Sequence, residues 1–499
     1  MNNLGRKIPR VMSTQHPDNV SIPFFAETSD MSGEDEIQEA YYAFSHLGCC
    51  EQMWDSEGKE VDNYVVKKLL TKYSHFFKQK RLGKEVFLTL RVPNPSVEKD
   101  EAKILLETLE SIPRSMDVAK IFYGDESFPP VFEIILPLTT NAAELNRIYY
   151  FYKNFLIERQ HKQIFNGDIT LAEWIGKFLP ESINVIPLFE DIESMLRCDE
   201  IVSEFIKDKD FTYQRVFLAR SDPAMNYGLI SAILANKIAL KKLERLSKEK
   251  EIEIYPILGA GCPPFRGNLT PYTVDKVLSE YSSVETFTVQ SAFKFDNPVE
   301  DVIEAIKKLK NFTRYPLKDF DEDFALSIIE KTSKEYKIVV ESVAPLINEI
   351  SLFVPKRRMR KLHAGLFGYS RSVGKVRLPR VIAFCCSCYS IGLPPELIGL
   401  SALSEEEIKR IKEVYRNITL DLSIAMQYFN PKCLDILPKE SKEALLSSIE
   451  VVNALNLSYE PNLNHREITS QIIRIIKDGL KKPLNELIIE AAHIRKFLG

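Results

Sequence analysis

Two acids, four arginines and one histidine sit where this chain could do chemistry on a small anion. Glu190 ends the apolar run INVIPLFE (183–190), and Asp222 follows the next run, RVFLAR (215–220), so the two carboxylates stand at the ends of successive predicted strands. A hard divalent cation such as Mg²⁺, with Mn²⁺ as the alternative, prefers oxygen ligands. It commonly takes one or two carboxylates and fills its other positions with water and substrate oxygens. The competing reading of Asp222, which precedes Pro223 and Ala224, is a helix cap at a strand-to-helix turn. Arg91, Arg266, Arg371 and Arg377 lie at strand ends or in turns, where guanidinium forks match carboxylate and phosphate. Taken singly, each arginine reads as a surface salt bridge. Their company argues otherwise: the turns GAGCPPFRGN (259–268) and GYSRSVGK (368–375) are rich in glycine, including Gly259, Gly261 and Gly267. Glycines let backbone N–H groups approach an oxyanion closely. His16 lies in RVMSTQHPDN, flanked by turn-forming Ser13, Thr14, Pro17, Asp18 and Asn19. Imidazole titrates near neutrality and is the commonest general acid–base, although a lone loop histidine is more often a bystander.

The elements that must position these groups follow a rhythm. Six short apolar runs recur: EVFLTLR (85–91), VFEIILP (131–137), INVIPLFE (183–190), RVFLAR (215–220), IEIYPIL (252–258) and ETFTVQ (285–290), the last ending on Gln290. Amphipathic stretches separate them, as in 224–250. Strand–helix alternation predicts a parallel sheet, and near-continuous apolar strands predict burial on both faces. In a barrel and in an open sheet alike, the carboxyl ends of the strands are the ligand side. The pattern by itself leaves barrel and open sheet both standing. After about residue 400 the rhythm gives way to helical patterns, with capping signals at Ser401 and at Ser404, the latter followed by Glu407.

Bulk properties exclude several classes. With 499 residues, 45% hydrophobic and 27% charged, the chain can bury a large core without staples. A net charge of −4 and a pI of about 6.1 give no electrostatic case for nucleic acid or an anionic membrane, so an anion site must be local. The eight cysteines lack paired zinc spacing and read as buried, reduced thiols. There is no N-terminal apolar leader and no apolar run near ~18 residues; a soluble, cytoplasmic, unexported protein is expected. Nucleotide-binding P-loop, Rossmann, H-E-x-x-H and G-x-S-x-G signatures are absent.

MSTQHPDN (12–19) resembles the signature of the short, archaeal-type phosphoenolpyruvate carboxylases, and EQMWDSEGKEVDNYVVKKLL (51–70) and FLTLRVPNPSVEKDEAK (87–103) resemble the same family. The sparser pattern of the long bacterial and plant carboxylases is met as well. Their T-A-H-P-T resembles Thr14-Gln15-His16-Pro17-Asp18, their metal glutamate after P-L-F resembles Glu190, and their G-Y-S-D-S resembles Ala219-Arg220-Ser221-Asp222-Pro223. Their G-R-G-G is similar to Phe265-Arg266-Gly267-Asn268. Arg91 resembles a strand-end substrate arginine, Ser370-Arg371 and Val376-Arg377 the later phosphate-binding arginines, and Gln290 a substrate-loop glutamine. Where the long enzymes carry His and Arg early in the glycine loop, this chain has Leu258 and Ala260.

The resemblance implies an α/β fold, a (β/α)₈ TIM-type barrel with additional helices and a largely helical C-terminal region. Residues 1–80 would carry the His16 loop, 81–400 the barrel, and 401–499 the helices packed on it. It implies irreversible carboxylation of phosphoenolpyruvate with bicarbonate to oxaloacetate and phosphate. In that scheme His16, Arg266 and Arg377 are catalytic, Arg91, Arg371, Gln290 and Gly267 bind substrate, and Glu190 and Asp222 hold Mg²⁺ or Mn²⁺. It also implies a homotetramer with no nucleic-acid or membrane partner. Two rivals are another metal-dependent barrel enzyme working on a phospho- or keto-acid through an enolate, and a non-catalytic sensor on the same fold.

Overall fold

The structure, a computed structural model, describes residues 7–56, 62–99, 102–124, 127–358, 371–373, 376–480 and 483–499. Eight parallel strands close into a barrel in sequence order: β1 (Val11–Ser13), β2 (Glu51–Asp55), β3 (Phe87–Arg91), β4 (Val131–Leu136), β5 (Asn184–Phe189), β6 (Tyr213–Ala219), β7 (Glu253–Gly259) and β8 (Thr286–Val289). The seam is the pairing of β1 with β8, Val11 opposite Phe287 and Ser13 opposite Val289. That pairing settles barrel over open sheet.

The six apolar runs are β3 to β8. The first two strands come from the segment 1–80, which was expected to stand outside the barrel, so the barrel begins at Val11 and not near residue 81. Neither strand shows as an apolar run, because VMS is only three residues long and EQMWD is charged at both ends. The far boundary moves too. The last barrel strand ends at Val289; beyond it the described residues form helices and one antiparallel hairpin, β9 (Arg371–Val373) with β10 (Val376–Leu378). The strand rhythm therefore stops near 290 rather than 400.

Alternation along each strand sorts its side chains between the inside and the outside of the barrel. Inside, the first layer is charged. Arg215 on β6 bonds Glu51 on β2 at 2.8 Å and Glu133 on β4 at 2.9 Å, and reaches Thr286 on β8 at 3.2 Å. Four alternate strands supplying one layer is the packing rule of such barrels. Burial opposes the charge on Arg215, but Glu51 and Glu133 outweigh it and hold the guanidinium well above its ordinary pKa. The next layer is apolar: Met12, Met53, Ile135, Ile186, Phe217 and Ile257. Beyond this layer, at the carboxyl ends of β2, β3, β5 and β8, come Asp55, Arg91, Glu190 and Gln290.

Outside, Trp54, Leu88, Leu90, Leu218, Leu258 and Phe287 join the main core under the helices. The stretch 224–250 forms two helices, Ser221–Tyr227 and Leu229–Lys250, broken at Gly228. From Leu229 to Leu240 the second is buried on every side, because the long helix Glu322–Ser351 lies over its outer face. Each leucine or isoleucine buried there stabilises by roughly 1.5–3 kcal/mol. In the C-terminal region Ser404 caps Glu405–Val414 through a capping box with Glu407. Ser401 does not cap; its hydroxyl donates to Glu335 at 2.8 Å. Among the described residues no single helix is long and apolar enough to cross a membrane.

Candidate active site at the carboxyl ends of the strands

His16 follows β1 directly. Thr14 extends the seam by one bond, its N–H donating to Val289 O at 3.0 Å, and the His16 carbonyl then accepts from Asp18 N at 3.0 Å. The strand end is pinned from below by Lys294, fully buried, whose Nζ donates to Ser13 Oγ (3.0 Å), Thr14 O (2.9 Å) and Glu39 Oε1 (2.9 Å). Arg358 holds Glu39 in turn through two bonds of 2.7 and 2.8 Å. The His16 ring has Nδ1 2.9 Å from Thr14 Oγ1. By area it is half-buried, yet protein atoms crowd it on nearly all sides, and crowding governs desolvation. That desolvation, then the charge of Arg91, with Arg266 and Arg380 adding and Asp55 opposing, brings its pKa down to about 3. His16 is a neutral imidazole in a cationic pocket, a group that can accept a proton at neutral pH.

Arg266 is the hub. Its Nε donates to Ser221 Oγ at 3.1 Å and its Nη1 to Asp18 Oδ2 at 3.2 Å; Nη2 reaches Gln290 Oε1, and Nη1 also reaches the backbone oxygen of Gly499. The loop after β7 folds so tightly over this side chain that a Cβ on Gly261 would lie 2.9 Å from the Arg266 guanidinium carbon. Gly267 sits at φ +125°, where a Cβ would come within 2.8 Å of the Ala260 methyl. Its role is therefore close backbone packing within the loop. Asp18, also held by Ala292 N at 2.7 Å, is pushed up in pKa by burial against the pull of Arg266.

Arg91 is locked to Asp55 by two parallel bonds, 2.9 Å from Nε and 2.7 Å from Nη2, with both residues over 90% buried. Glu190, 5% exposed, accepts from Leu138 N at 3.0 Å. Asp222 is the second residue of Ser221–Tyr227, whose capping position is Arg220 with no side-chain cap bond. Glu190 and Asp222 extend from the neighbouring strands β5 and β6, which pair at Phe189 and Leu218. Among the described residues no group of three or more His, Cys, Asp or Glu gathers to hold a metal. Two carboxylates at one strand edge suit a cation that completes its shell with water and substrate.

The remaining expectations divide. Gln290 joins the cluster through Arg266. Arg377 does not: it stands exposed on β10, its carbonyl held by Asn348 at 2.8 Å, and among the described residues its guanidinium has no partner. For Arg371 the backbone is in β9, and its side chain lies outside the described residues, as does most of GYSRSVGK. Leu258 points outward into the main core and Ala260 packs under Gly267, so neither faces the cluster. Sequence reasoning missed Asp18, Asp55, Glu39 and Lys294. Asp55 carried a weaker form of the signal that singled out Arg91 and Glu190, a charge closing the short apolar pair Met53-Trp54.

The family model described as phosphoenolpyruvate carboxylase matches residues 8–499. The chain belongs to the archaeal-type phosphoenolpyruvate carboxylase family. The phosphoenolpyruvate carboxylase of Methanospirillum hungatei is 53% identical over 493 residues, covering 99% of this chain and 100% of the relative. That of Methanothermobacter thermautotrophicus is 52% identical over 495 residues, with 99% and 100% covered. The phosphoenolpyruvate carboxylase of Pyrococcus furiosus is 52% identical over 428 residues, 85% of this chain and 89% of the relative. Among solved structures, an HpcH/HpaI aldolase from Desulfitobacterium hafniense matches 62% of this chain and 96% of that chain at 12% identity, with a TM-score of 0.32. The barrel assignment rests on the strand pairing described above. As a phosphoenolpyruvate carboxylase the chain is a carbon–carbon lyase, and the family works with a divalent metal.

Proposed function

We propose that this chain joins phosphoenolpyruvate and bicarbonate at the strand-end cluster by way of carboxyphosphate and the enolate of pyruvate. The observation that supports this most is a neutral His16 set among guanidinium groups. Bicarbonate oxygen attacks the phosphorus, the bond from phosphorus to the enol oxygen breaks, and the enolate and carboxyphosphate remain. His16 takes the proton from the carboxyl group of carboxyphosphate, which splits into CO₂ and phosphate. The enolate carbon then attacks CO₂ to give oxaloacetate, and the proton on His16 passes to phosphate. Arg266 orients the phosphoryl group, while Arg91 and Gln290 orient the carboxylate end. Glu190 and Asp222 would hold Mg²⁺, or Mn²⁺ in its place; when bound, such a cation supplies positive charge opposite the enolate oxygen. The apolar layer of Met12, Met53, Ile135 and Phe217 beneath the cluster closes the barrel floor to water, which would otherwise protonate the enolate to pyruvate from that side.

The chain works in the cytoplasm as a homotetramer in this reading. Large apolar side chains exposed on residues 155–175, among them Phe155, Phe165 and Trp174, are consistent with self-association, which sedimentation would measure. The deciding experiment is a coupled oxaloacetate assay with phosphoenolpyruvate, bicarbonate and Mg²⁺. Folded protein that forms no oxaloacetate under those conditions would overturn the assignment.

A further inference from the structure

The four residues Phe265–Asn268 carry Arg266 into the cluster, and both ends of this turn hang on carboxylates from outside the barrel. At one end, Phe265 N–H donates to Glu396 Oε1 at 2.7 Å. Glu396 belongs to the short 3₁₀ turn Pro395–Leu397, is fully buried, and takes a second bond on the same oxygen from Tyr389 Oη at 2.6 Å. Its Oε2 is buried with no partner among the described residues. At the other end, Asn268 adopts φ +54° and its Nδ2 donates to Asp421 Oδ1 at 2.6 Å. Asp421, on the helix Ile418–Gln427, also accepts from Tyr415 Oη. Between the two anchors the turn closes on itself, with Arg266 N on Pro263 O and Gly261 N on Arg266 O, both at 2.9 Å.

A buried carboxylate that forms no ion pair is costly, and here two stand near one another, Asp421 with only the longer-range pull of Arg220. Burial lifts both to about 7. Neither touches Arg266, yet each satisfies one polar group on either side of it. Asn268 also stands where the long carboxylases have glycine: it keeps the left-handed backbone and adds a side chain that reaches Asp421.

We propose that Glu396 and Asp421 are positioning residues that clamp the Phe265–Asn268 turn from both ends and so aim the Arg266 guanidinium. The proposal rests on the reading that Arg266 acts in the carboxylation, and its test separates the two ideas. In the full-length enzyme, kcat/KM for oxaloacetate formation is measured for Glu396→Ala, Glu396→Gln, Arg266→Lys and the double variant Glu396→Ala/Arg266→Lys, with circular dichroism confirming the fold. Glu396→Ala is expected to lose about 10- to 100-fold, the scale of a positioning error near 1 Å. Glu396→Gln stays within about threefold of wild type, because the amide oxygen still accepts from Phe265 and Tyr389. The double variant is no worse than Arg266→Lys alone, since residues acting as one unit are non-additive. Multiplicative losses in the double variant, or full activity in Glu396→Ala, would overturn the clamp. Full activity in Arg266→Lys would overturn the role of Arg266 and the clamp with it. Should Glu396→Ala fail to fold, Asn268→Gly keeps the left-handed turn and removes only the Asp421 tether; it is expected to lose about tenfold, and wild-type activity there refutes the proposal.

Discussion

The depressed pKa of His16 makes a prediction that reaches beyond activity. Its folded value is about 3 against an ordinary 6.5, set first by burial and next by Arg91. The unfolded chain therefore binds a proton on this residue at a higher pH than the folded chain does. Stability tied to the neutral ring is fully present above pH 6.5 and is lost as pH falls from 6.5 toward 3. The whole shift corresponds to about 5 kcal/mol at about 1.36 kcal/mol per unit. Within reach of experiment, at pH 5 the loss comes to about 2 kcal/mol, an upper figure because one edge of the ring meets solvent; at pH 7.5 it is near zero. His16→Asn removes the titrating group and keeps a polar side chain of similar size. Relative to wild type, the variant is expected to gain stability on going from pH 7.5 to pH 5, by up to about 2 kcal/mol. Urea midpoints of both proteins at the two pH values measure this, and titrating groups remote from His16 cancel in the difference. The same variant is expected to form no oxaloacetate at either pH, which the coupled assay would check. A stability difference that stays constant between pH 7.5 and 5 would mean His16 protonates near its ordinary value. The neutral proton acceptor in a cationic pocket would then be wrong.

Asp222→Asn is expected to lose metal-dependent activity and to bind Mg²⁺ or Mn²⁺ more weakly by calorimetry; unchanged affinity would remove Asp222 from the ligand set. Gly499→Ala places a methyl on the Ile382 carbonyl and within 2.7 Å of Cys386 N, dislodging the backbone oxygen that meets Arg266. At least a tenfold loss of kcat/KM follows, by about the scale of a 1 Å displacement, and wild-type kinetics would show the contact to be idle. Arg215→Met leaves Glu51 and Glu133 buried without their cation and should cost about 3–5 kcal/mol of stability. Urea unfolding tests it, and a change under about 1 kcal/mol would mean the layer is neutralised some other way.

What the sequence made legible was whatever one strand could say by itself. β3 to β8 announced themselves as apolar runs, and the polar residue closing a run was enough to mark Arg91, Glu190 and Gln290. β1 escaped because three residues make no pattern, and β2 because Glu51 belongs to the charged layer inside the barrel, where hydropathy misleads. Arg215 and its two carboxylates lie 82 and 164 residues apart in sequence, so no local window joins them. The Arg91–Asp55 pair and the Lys294–Glu39–Arg358 chain are equally non-local. Glu396 and Asp421 look like any other acid in a helical region; only their buried places beside the glycine loop give them meaning. Arg377 shows the converse, a residue whose motif is clear and whose observed place is out in solvent.

The seam between β1 and β8 has a consequence for how the enzyme is born. The residues it joins are separated by about 275 positions, and the ribosome adds about 5–20 residues per second. For something like 15 to 55 s at that pace, the strand that precedes His16 has emerged while its neighbour on one side does not yet exist. A short, three-residue edge offers little for a stray chain to zip onto during that wait. When β8 arrives it closes the ring and seats Thr14, His16, Asp18 and Gln290 together. Until the ring shuts, the Thr14 N–H and the Asp18 carboxylate lack the Val289 and Ala292 partners that hold the His16 loop in place.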